Sequence, residues 1–178
     1  PGVQEGPDPK ALAAIIKEEL GDLGLELAVE PGRWLVGAAG VLLARVILVK
    51  QGVTKRHVVV DAAMNDLIRP TLYDGYHRIQ PVTGCDRPDA GPADVVGPIC
   101  ESGDYLAKDR PLPAVEAGEL LAVRDAGAYG AVMSSTYNAR PLAPEVLVDG
   151  DRWAVIRPRQ PVEALIGLDR VPDWIGCR

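Results

Sequence analysis

The sequence has 178 residues, a formal net charge of −6, and apolar and charged fractions of 47% and 25%. These values predict a soluble globular protein with one core, or with one small domain and a piece of another. The negative charge argues against a general nucleic-acid binder, which needs a basic surface. No apolar run approaches the roughly 18 residues of a membrane helix, and no basic region with a secretory cleavage site is visible at the start.

The cysteines and histidines give no metal-binding pattern. Cys85, Cys100 and Cys177 are odd in number and lack C-x-x-C spacing. They therefore predict reduced thiols in a cytoplasmic protein rather than a disulfide frame. Neither His57 nor His77 lies near a cysteine pair, so no metal site is predicted.

The first elements are predicted to be a helix and a strand. Asp8 followed by Pro9 is typical of a helix start, and apolar residues then recur at helical spacing as far as Gly21. Apolar residues alternate along residues 23–30, which predicts a strand. A helix followed by a strand is an α/β unit, and this strand ends in the segment E-P-G-R, residues 30–33.

This segment is the first candidate site. It places Glu30 and Arg33 at the carboxyl end of the predicted strand, where α/β barrels carry their chemistry. Residues 34–40 predict a short helix whose free N–H groups, with Arg33, would attract an anion. The alternative interpretation is a surface turn with a salt bridge.

The remainder is predicted to be β-rich. Short apolar runs alternate with turn residues, which is typical of an antiparallel barrel or sandwich. Asp149-Gly150 predicts a hairpin, residues 85–92 a polar loop, and residues 161–165 a short helix docked on the fold. The predicted strands cover residues 41–49, 57–60, 77–82, 93–100, 120–123, 146–148 and 153–156.

Two motifs in this half contain candidate binding residues. Residues 65–73 read as a helical turn stopped by Pro70, and Arg69 and Tyr73 would share a face only if the turn continued past it. The alternative is a packed turn with a solvated arginine. The segment G-A-Y-G, residues 127–130, opens a short helix or extended turn, and its Tyr129 can lie flat against a planar ring.

Residues 95–106 read V-V-G-P-I-C-E-S-G-D-Y-L. An apolar run ends at Gly97-Pro98, and a thiol and a carboxylate, Cys100 and Glu101, follow directly. Reactive groups at the end of a buried strand indicate a site, although a free cysteine is more often an inert core residue and S-G-D a common turn.

In the order in which they follow one another along the chain, the four segments together resemble the diaminopimelate decarboxylase family, fold-type III enzymes that use pyridoxal 5'-phosphate. The resemblance implies an α/β plus all-β fold. Residues 1–40 would be the last strand–helix units of a TIM-type (β/α)8 barrel, and residues 41–178 an antiparallel β-barrel or sandwich domain. The family's cofactor-binding lysine, on an early barrel strand, has no counterpart here, so we expect a fragment that is inactive alone.

The resemblance also implies the roles of the residues. The reaction converts meso-2,6-diaminopimelate to L-lysine and carbon dioxide in a homodimer whose subunits share active sites. A thiol can donate a proton near neutral pH, and we expect burial to keep it protonated. The resemblance implies that the cofactor is bound by Glu30, which faces the pyridine nitrogen, and by Gly32, Arg33 and Tyr129. The implied substrate-binding residues are Arg33, Arg69, Tyr73, Glu101 and Tyr129. Cys100 is the implied catalytic residue, and together with Glu101 it acts across the subunit interface.

Other interpretations stay open. A related decarboxylase could act on ornithine, arginine, carboxynorspermidine or a carrier-bound amino acid. Glu101 favours diaminopimelate, because the ornithine-type enzymes usually carry an aspartate next to the cysteine. A chain of a different class would be a non-catalytic β-rich interaction domain.

Overall fold

The structure, a computed structural model, describes residues 8–84 and 86–176. Cys85 and Cys177 therefore lie outside the described residues. The helices are α1 (Pro9–Leu20), α2 (Gly32–Val36), α3 (Arg69–Tyr73) and α4 (Val162–Ile166). The strands are β1 (Leu42–Gln51), β2 (Arg56–Val60), β3 (Ile79–Pro81), β4 (Asp89–Val96), β5 (Tyr105–Pro113), β6 (Leu120–Val123), β7 (Glu145–Asp149) and β8 (Arg152–Arg157).

Strands β1 to β6 form one mixed sheet in the order β3-β6-β1-β2-β4-β5. Its neighbour pairs are antiparallel except for β2 and β4, which are parallel. The two outer strands, β3 and β5, contact each other, so the sheet curls into a nearly closed barrel. At this gap the Arg110 guanidinium stacks 3.5 Å from the centroid of the Tyr76 ring. The predicted barrel is confirmed, and the parallel pair corrects its all-antiparallel form.

The core fills the inside of this barrel. It consists of aliphatic side chains whose full burial stabilises the fold by about 1.5–3 kcal/mol each. Its largest fully buried aliphatic members are Val46, Val58, Val60, Leu67, Val95, Leu106, Leu112, Leu121 and Val123.

The sequence prediction missed β5 and began β4 too late. Strand β5 contains two prolines, Pro111 and Pro113, which the sheet tolerates because β5 is an edge strand. Strand β4 begins at Asp89, inside the predicted polar loop of residues 85–92. It ends at Val96 rather than at Cys100, because Gly97 and Pro98 interrupt the ladder.

The first helix is confirmed and the strand after it is wrong. Asp8 caps α1 by accepting a hydrogen bond from the backbone N–H of Lys10 at 3.1 Å. In the part of the chain that the structure describes, residues 24–31 pair with no strand. A strand needs a neighbour for its backbone groups. The alternating residues Leu25 and Val29 are instead 67% and 65% exposed.

The predicted hairpin and carboxyl-terminal helix both form, but among the described residues the helix is not packed on the fold as expected. Strands β7 and β8 pair with each other through a turn in which Gly150 has φ +62°. Helix α4 lies one residue later than predicted, and Val162 and Ile166 are 57% and 64% exposed. The prediction that this helix docks on the fold was therefore wrong for the described residues.

Candidate active site

Three segments outside the strands converge on one concavity of about 410 Å³. Arg33 comes from α2, Arg69 and Tyr73 come from α3, and Tyr129 comes from the turn after β6. Met133 completes the described walls. The structure thus brings together four residues that the sequence analysis drew from three separate motifs.

Pro70 is the second residue of helix α3 and does not stop it. It lies in the first turn, where the missing N–H costs no intrahelical hydrogen bond. The helix therefore runs from Arg69 to Tyr73, and these residues share a face because they are four positions apart. The expectation that the helical turn stops at Pro70 was wrong. Because the helix continues past Pro70, Arg69 and Tyr73 lie on the same face.

Helix α2 is fixed to the Tyr129 turn by backbone contacts. The N–H of Ala126 donates to the carbonyl of Gly40 at 2.9 Å, and the N–H of Gly127 donates to that of Gly37 at 3.0 Å. A Cβ on Gly127 would overlap the Val36 carbonyl oxygen, so only glycine permits this approach. The two segments that carry Arg33 and Tyr129 are held together in this way.

Arg69 is held by a histidine that the sequence analysis gave no role. His77 is fully buried, and its Nε2 lies 3.1 Å from Nη1 of Arg69. Its Nδ1 lies 2.9 Å from the carbonyl oxygen of Arg124. Burial is the main cause that lowers the pKa of His77 below 6.5. The available signal was a histidine at the start of an apolar run.

Cys100 and Glu101 lie on an exposed loop between β4 and β5. Cys100 is exposed in this single chain, so its expected burial, which involves a second subunit, stays a prediction. Glu101 lies at the edge of a second concavity, of about 220 Å³, because its Oε2 is 3.4 Å from the hydroxyl of Tyr137, which lines it.

Asp104 anchors this loop. Its buried carboxylate accepts hydrogen bonds from the N–H groups of Met64 and Ile99, both at 2.7 Å. The hydroxyl of Thr71 donates to the Gly103 carbonyl at 2.5 Å, which ties the loop to α3. The second carboxylate of the motif therefore holds the loop in place and is not a free reactive group.

The remaining predicted residues are Glu30, which lies in the turn before α2, and Gly32, which is the first residue of α2. Glu30 is exposed, and its carbonyl accepts a hydrogen bond from the N–H of Gly32 at 2.9 Å. In the concavity of about 410 Å³, the lining contains two guanidinium groups, those of Arg33 and Arg69, and two tyrosines, although the chain as a whole is acidic. This donor set suits a ligand that combines a planar ring with anionic groups.

Comparison with known families gives this arrangement its context. Residues 22–127 match the family described as pyridoxal-dependent decarboxylase, C-terminal sheet domain. The chain belongs to the pyridoxal-dependent decarboxylase family. The predicted family and cofactor class are thereby confirmed, and the barrel-like sheet is the family's C-terminal sheet domain.

The relatives of this decarboxylase-family chain are much longer than the chain itself. It is 49% identical over 173 residues to the diaminopimelate decarboxylase of Zymomonas mobilis, covering 96% of this chain and 40% of the relative. The corresponding enzyme of Archaeoglobus fulgidus is 50% identical over 175 residues, covering 95% and 42%. The chain thus spans about two fifths of the length of these relatives.

A solved structure agrees with the sequence relatives. The Helicobacter pylori diaminopimelate decarboxylase complexed with L-lysine superimposes with a TM-score of 0.84 at 40% identity, covering 93% of this chain and 41% of that one.

Within residues 8–84 and 86–176, no cluster of metal-ligating side chains occurs. Among the helices described, none has the length and apolarity to cross a bilayer.

Proposed function

We propose that this chain is the carboxyl-terminal part of a diaminopimelate decarboxylase, a cytoplasmic enzyme that converts meso-2,6-diaminopimelate to L-lysine and carbon dioxide. The observation that carries the proposal is the convergence of Arg33, Arg69, Tyr73 and Tyr129 on one concavity. Residues 1–40 complete the cofactor-binding (β/α)8 barrel, and residues 41–178 form the β domain. The rest of the polypeptide supplies the lysine that binds pyridoxal phosphate.

The exposed apolar surface supports this division. Ile15 on α1, Leu25 in the following segment, and Val148 and Trp153 on the hairpin are 56%, 67%, 65% and 71% exposed. A soluble protein rarely leaves so many large apolar side chains uncovered in contiguous segments. The missing barrel strands provide the cover that these segments need.

The concavity binds the far end of the substrate and the cofactor ring. Arg69 and Tyr73 hold the carboxylate that is not removed, since a guanidinium fork matches a carboxylate through two parallel hydrogen bonds. Arg33 would hold the phosphate and substrate end, and the ring of Tyr129 would hold the cofactor ring. Bound pyridoxal phosphate supplies an electron sink for the reaction.

Glu30 acts from the turn before α2, and Gly32 acts from the first position of that helix. The carboxylate of Glu30 would hold the pyridine nitrogen of the cofactor and favour its protonated form, because a nearby negative charge stabilises a positive one. Gly32 lets the backbone approach the cofactor without a side chain in the way.

Cys100 and Glu101 act in the neighbouring subunit of a homodimer. Their loop is exposed and anchored by Asp104, which suits a rigid segment that enters another subunit's site. The thiol of Cys100 returns a proton to the reacting carbon, and Glu101 binds the far ammonium group. Burial of the thiol then comes from the dimer.

Substrate discrimination by the intact enzyme tests this function. An analogue without the far carboxylate leaves buried donors unpaired, which can lower kcat/KM by about 10⁴-fold or more. We therefore expect rapid carbon dioxide release from meso-diaminopimelate and very slow release from ornithine. Comparable rates on the two substrates would contradict the assignment and favour an ornithine-type enzyme.

A second experiment tests the acid. Cys100→Ala should strongly reduce decarboxylation by the intact enzyme while the absorbance of the bound cofactor stays unchanged. Ser102→Ala, a change on the same exposed loop, is the control and should keep normal turnover. Normal turnover of Cys100→Ala would remove the thiol from the mechanism.

A further inference from the structure

We propose that His77 is a positioning residue that holds the Arg69 guanidinium for the far carboxylate of the substrate, an inference that rests on the function proposed above. The juxtaposition that carries it is a fully buried imidazole between Nη1 of Arg69 and the carbonyl oxygen of Arg124.

The contacts fix the protonation state of the ring. A backbone carbonyl only accepts hydrogen bonds, so Nδ1, at 2.9 Å from the Arg124 oxygen, carries the proton and donates. A guanidinium only donates, so Nε2, at 3.1 Å from Nη1 of Arg69, must be the unprotonated acceptor. The neutral Nδ1–H tautomer satisfies both contacts at once.

This arrangement leaves the positive charge of Arg69 available. A carboxylate in place of His77 would hold the guanidinium equally well, but it would neutralise the charge that attracts the substrate. A neutral imidazole accepts one hydrogen bond and leaves the remaining donors of the fork for a carboxylate in the concavity. Helix α3 is only five residues long, so this contact adds the support that the helix alone does not give.

Protonation of His77 would reverse the effect. The imidazolium has no acceptor at Nε2 and would repel Arg69. The charged groups that act on the ring are Arg69 on α3 and Arg110 on β5, which lower its pKa, and Asp125 after β6, which raises it. The cations outnumber the single carboxylate, so they add to the burial that disfavours the charged ring.

Ligand binding to the intact, cofactor-loaded enzyme tests the proposal without turnover. L-Lysine keeps the far carboxylate after the reaction, whereas cadaverine is the same molecule without it. In His77→Leu we expect the dissociation constant of L-lysine, measured by calorimetry, to rise about tenfold while that of cadaverine stays unchanged. His77→Gln keeps an uncharged acceptor and should restore L-lysine binding. His57→Gln changes the chain's other histidine and is the control.

Each outcome decides between the two proposals. Equal weakening of both ligands in His77→Leu would indicate a general structural role and overturn the positioning role, as would unchanged discrimination. A wild-type enzyme that neither prefers L-lysine over cadaverine nor acts on diaminopimelate refutes the proposed function itself, before any variant is needed.

Two measurements keep the proposal testable if His77→Leu does not fold. Nitrogen NMR of the wild-type enzyme should show a protonated Nδ1 and an unprotonated Nε2 at neutral pH, with the signals assigned by their loss in His77→Gln. The KM for diaminopimelate should rise at acidic pH more than kcat falls, and this rise should vanish in His77→Gln but not in His57→Gln. The opposite tautomer, or a KM profile that is the same in all three proteins, would overturn the proposal.

Discussion

The barrel of β1 to β6 and the flanking segments, defined as residues 8–30 and 145–176, contain similar apolar residues in opposite surroundings. Val46 and Val58 in the barrel are 1% and 0% exposed, whereas Val146 and Val148 in the hairpin are 49% and 65% exposed. Both regions have strand-forming sequences. The difference lies in the number of neighbours, because each inner barrel strand has two and each hairpin strand has one.

This difference separates the apolar side chains that the chain covers by itself from those that it leaves exposed. The barrel closes on its own core and positions α2, α3 and the Tyr129 turn. The flanking segments carry the apolar surface that we assign to contacts with the rest of the polypeptide. Variants in the two regions should therefore differ sharply in their effect on this chain.

The largest contrast is expected between two leucines. Leu121→Ala removes a fully buried side chain and should lower the free energy of unfolding of the 178-residue chain by about 2–5 kcal/mol. Leu147→Ala changes a side chain that is 59% exposed and should alter it by no more than about 0.5 kcal/mol. Urea denaturation followed by circular dichroism measures both, and equal losses would erase the distinction between the regions.

The next largest loss of stability is expected at Asp104, which anchors the loop that carries Cys100. Asp104→Ala leaves the N–H groups of Met64 and Ile99 without their acceptor and should cost about 1–3 kcal/mol. Asp86→Ala changes an exposed aspartate in a loop and serves as the control. If the two variants have the same denaturation midpoint, the loop does not depend on Asp104.

A comparable or smaller loss is expected where α2 meets the barrel. Gly127→Ala places a methyl group against the Val36 carbonyl and should destabilise the chain by about 1–3 kcal/mol. Gly176→Ala adds the same methyl group in open space and should have little effect. The tryptophan fluorescence of Trp34 on α2 reports the local change, and a Gly127→Ala chain with unchanged emission and stability would show that the close contact is dispensable.

The pH dependence should also originate in the barrel. Burial lowers the pKa of His77 in the folded chain, so the unfolded chain takes up the proton first as the pH falls. The stability due to the neutral ring is fully present above pH 6.5 and is lost below it. Denaturation midpoints at pH 7.5 and 5.5 should differ more for the unmodified chain than for His77→Gln, and an identical difference would exclude His77 as the source.

The smallest effect is expected in the hairpin. Arg152 and Asp149 form an ion pair with side chains that are 80% and 71% exposed. Arg152→Ala should change the free energy of unfolding by no more than about 0.5 kcal/mol, because water and salt screen such pairs. A loss above 1 kcal/mol would mean that the hairpin contributes to the stability of this chain in the way that the barrel does.

The sequence predicted the strands with clear apolar runs and the turn at Asp149-Gly150 because these signals are local. It missed β5, since Pro111 and Pro113 are acceptable only at a sheet edge, and edge position depends on the tertiary fold. It assigned a strand to residues 23–30 because their apolar residues alternate, which predicts that one face is buried. The pattern does not show whether the residues that bury this face belong to the same chain.

The candidate site shows the same limit. Arg33, Arg69, Tyr73 and Tyr129 were found through motifs, whereas His77 was missed because a histidine at the start of an apolar run does not show that its ring lies buried beside an arginine. The anchoring role of Asp104 was also missed, since Met64, whose N–H donates to its carboxylate, lies 40 residues away in the sequence. Long-range hydrogen bonds become visible only when the fold brings their ends together.

A crystal structure of the intact enzyme with L-lysine and pyridoxal phosphate would test the central claim most directly. We expect the lysine carboxylate on Arg69 and Tyr73, the cofactor ring beside Tyr129 with Glu30 at its nitrogen, and Cys100 reaching the ligand from a second subunit. A ligand bound away from the concavity of Arg33, Arg69, Tyr73 and Tyr129 would contradict the account.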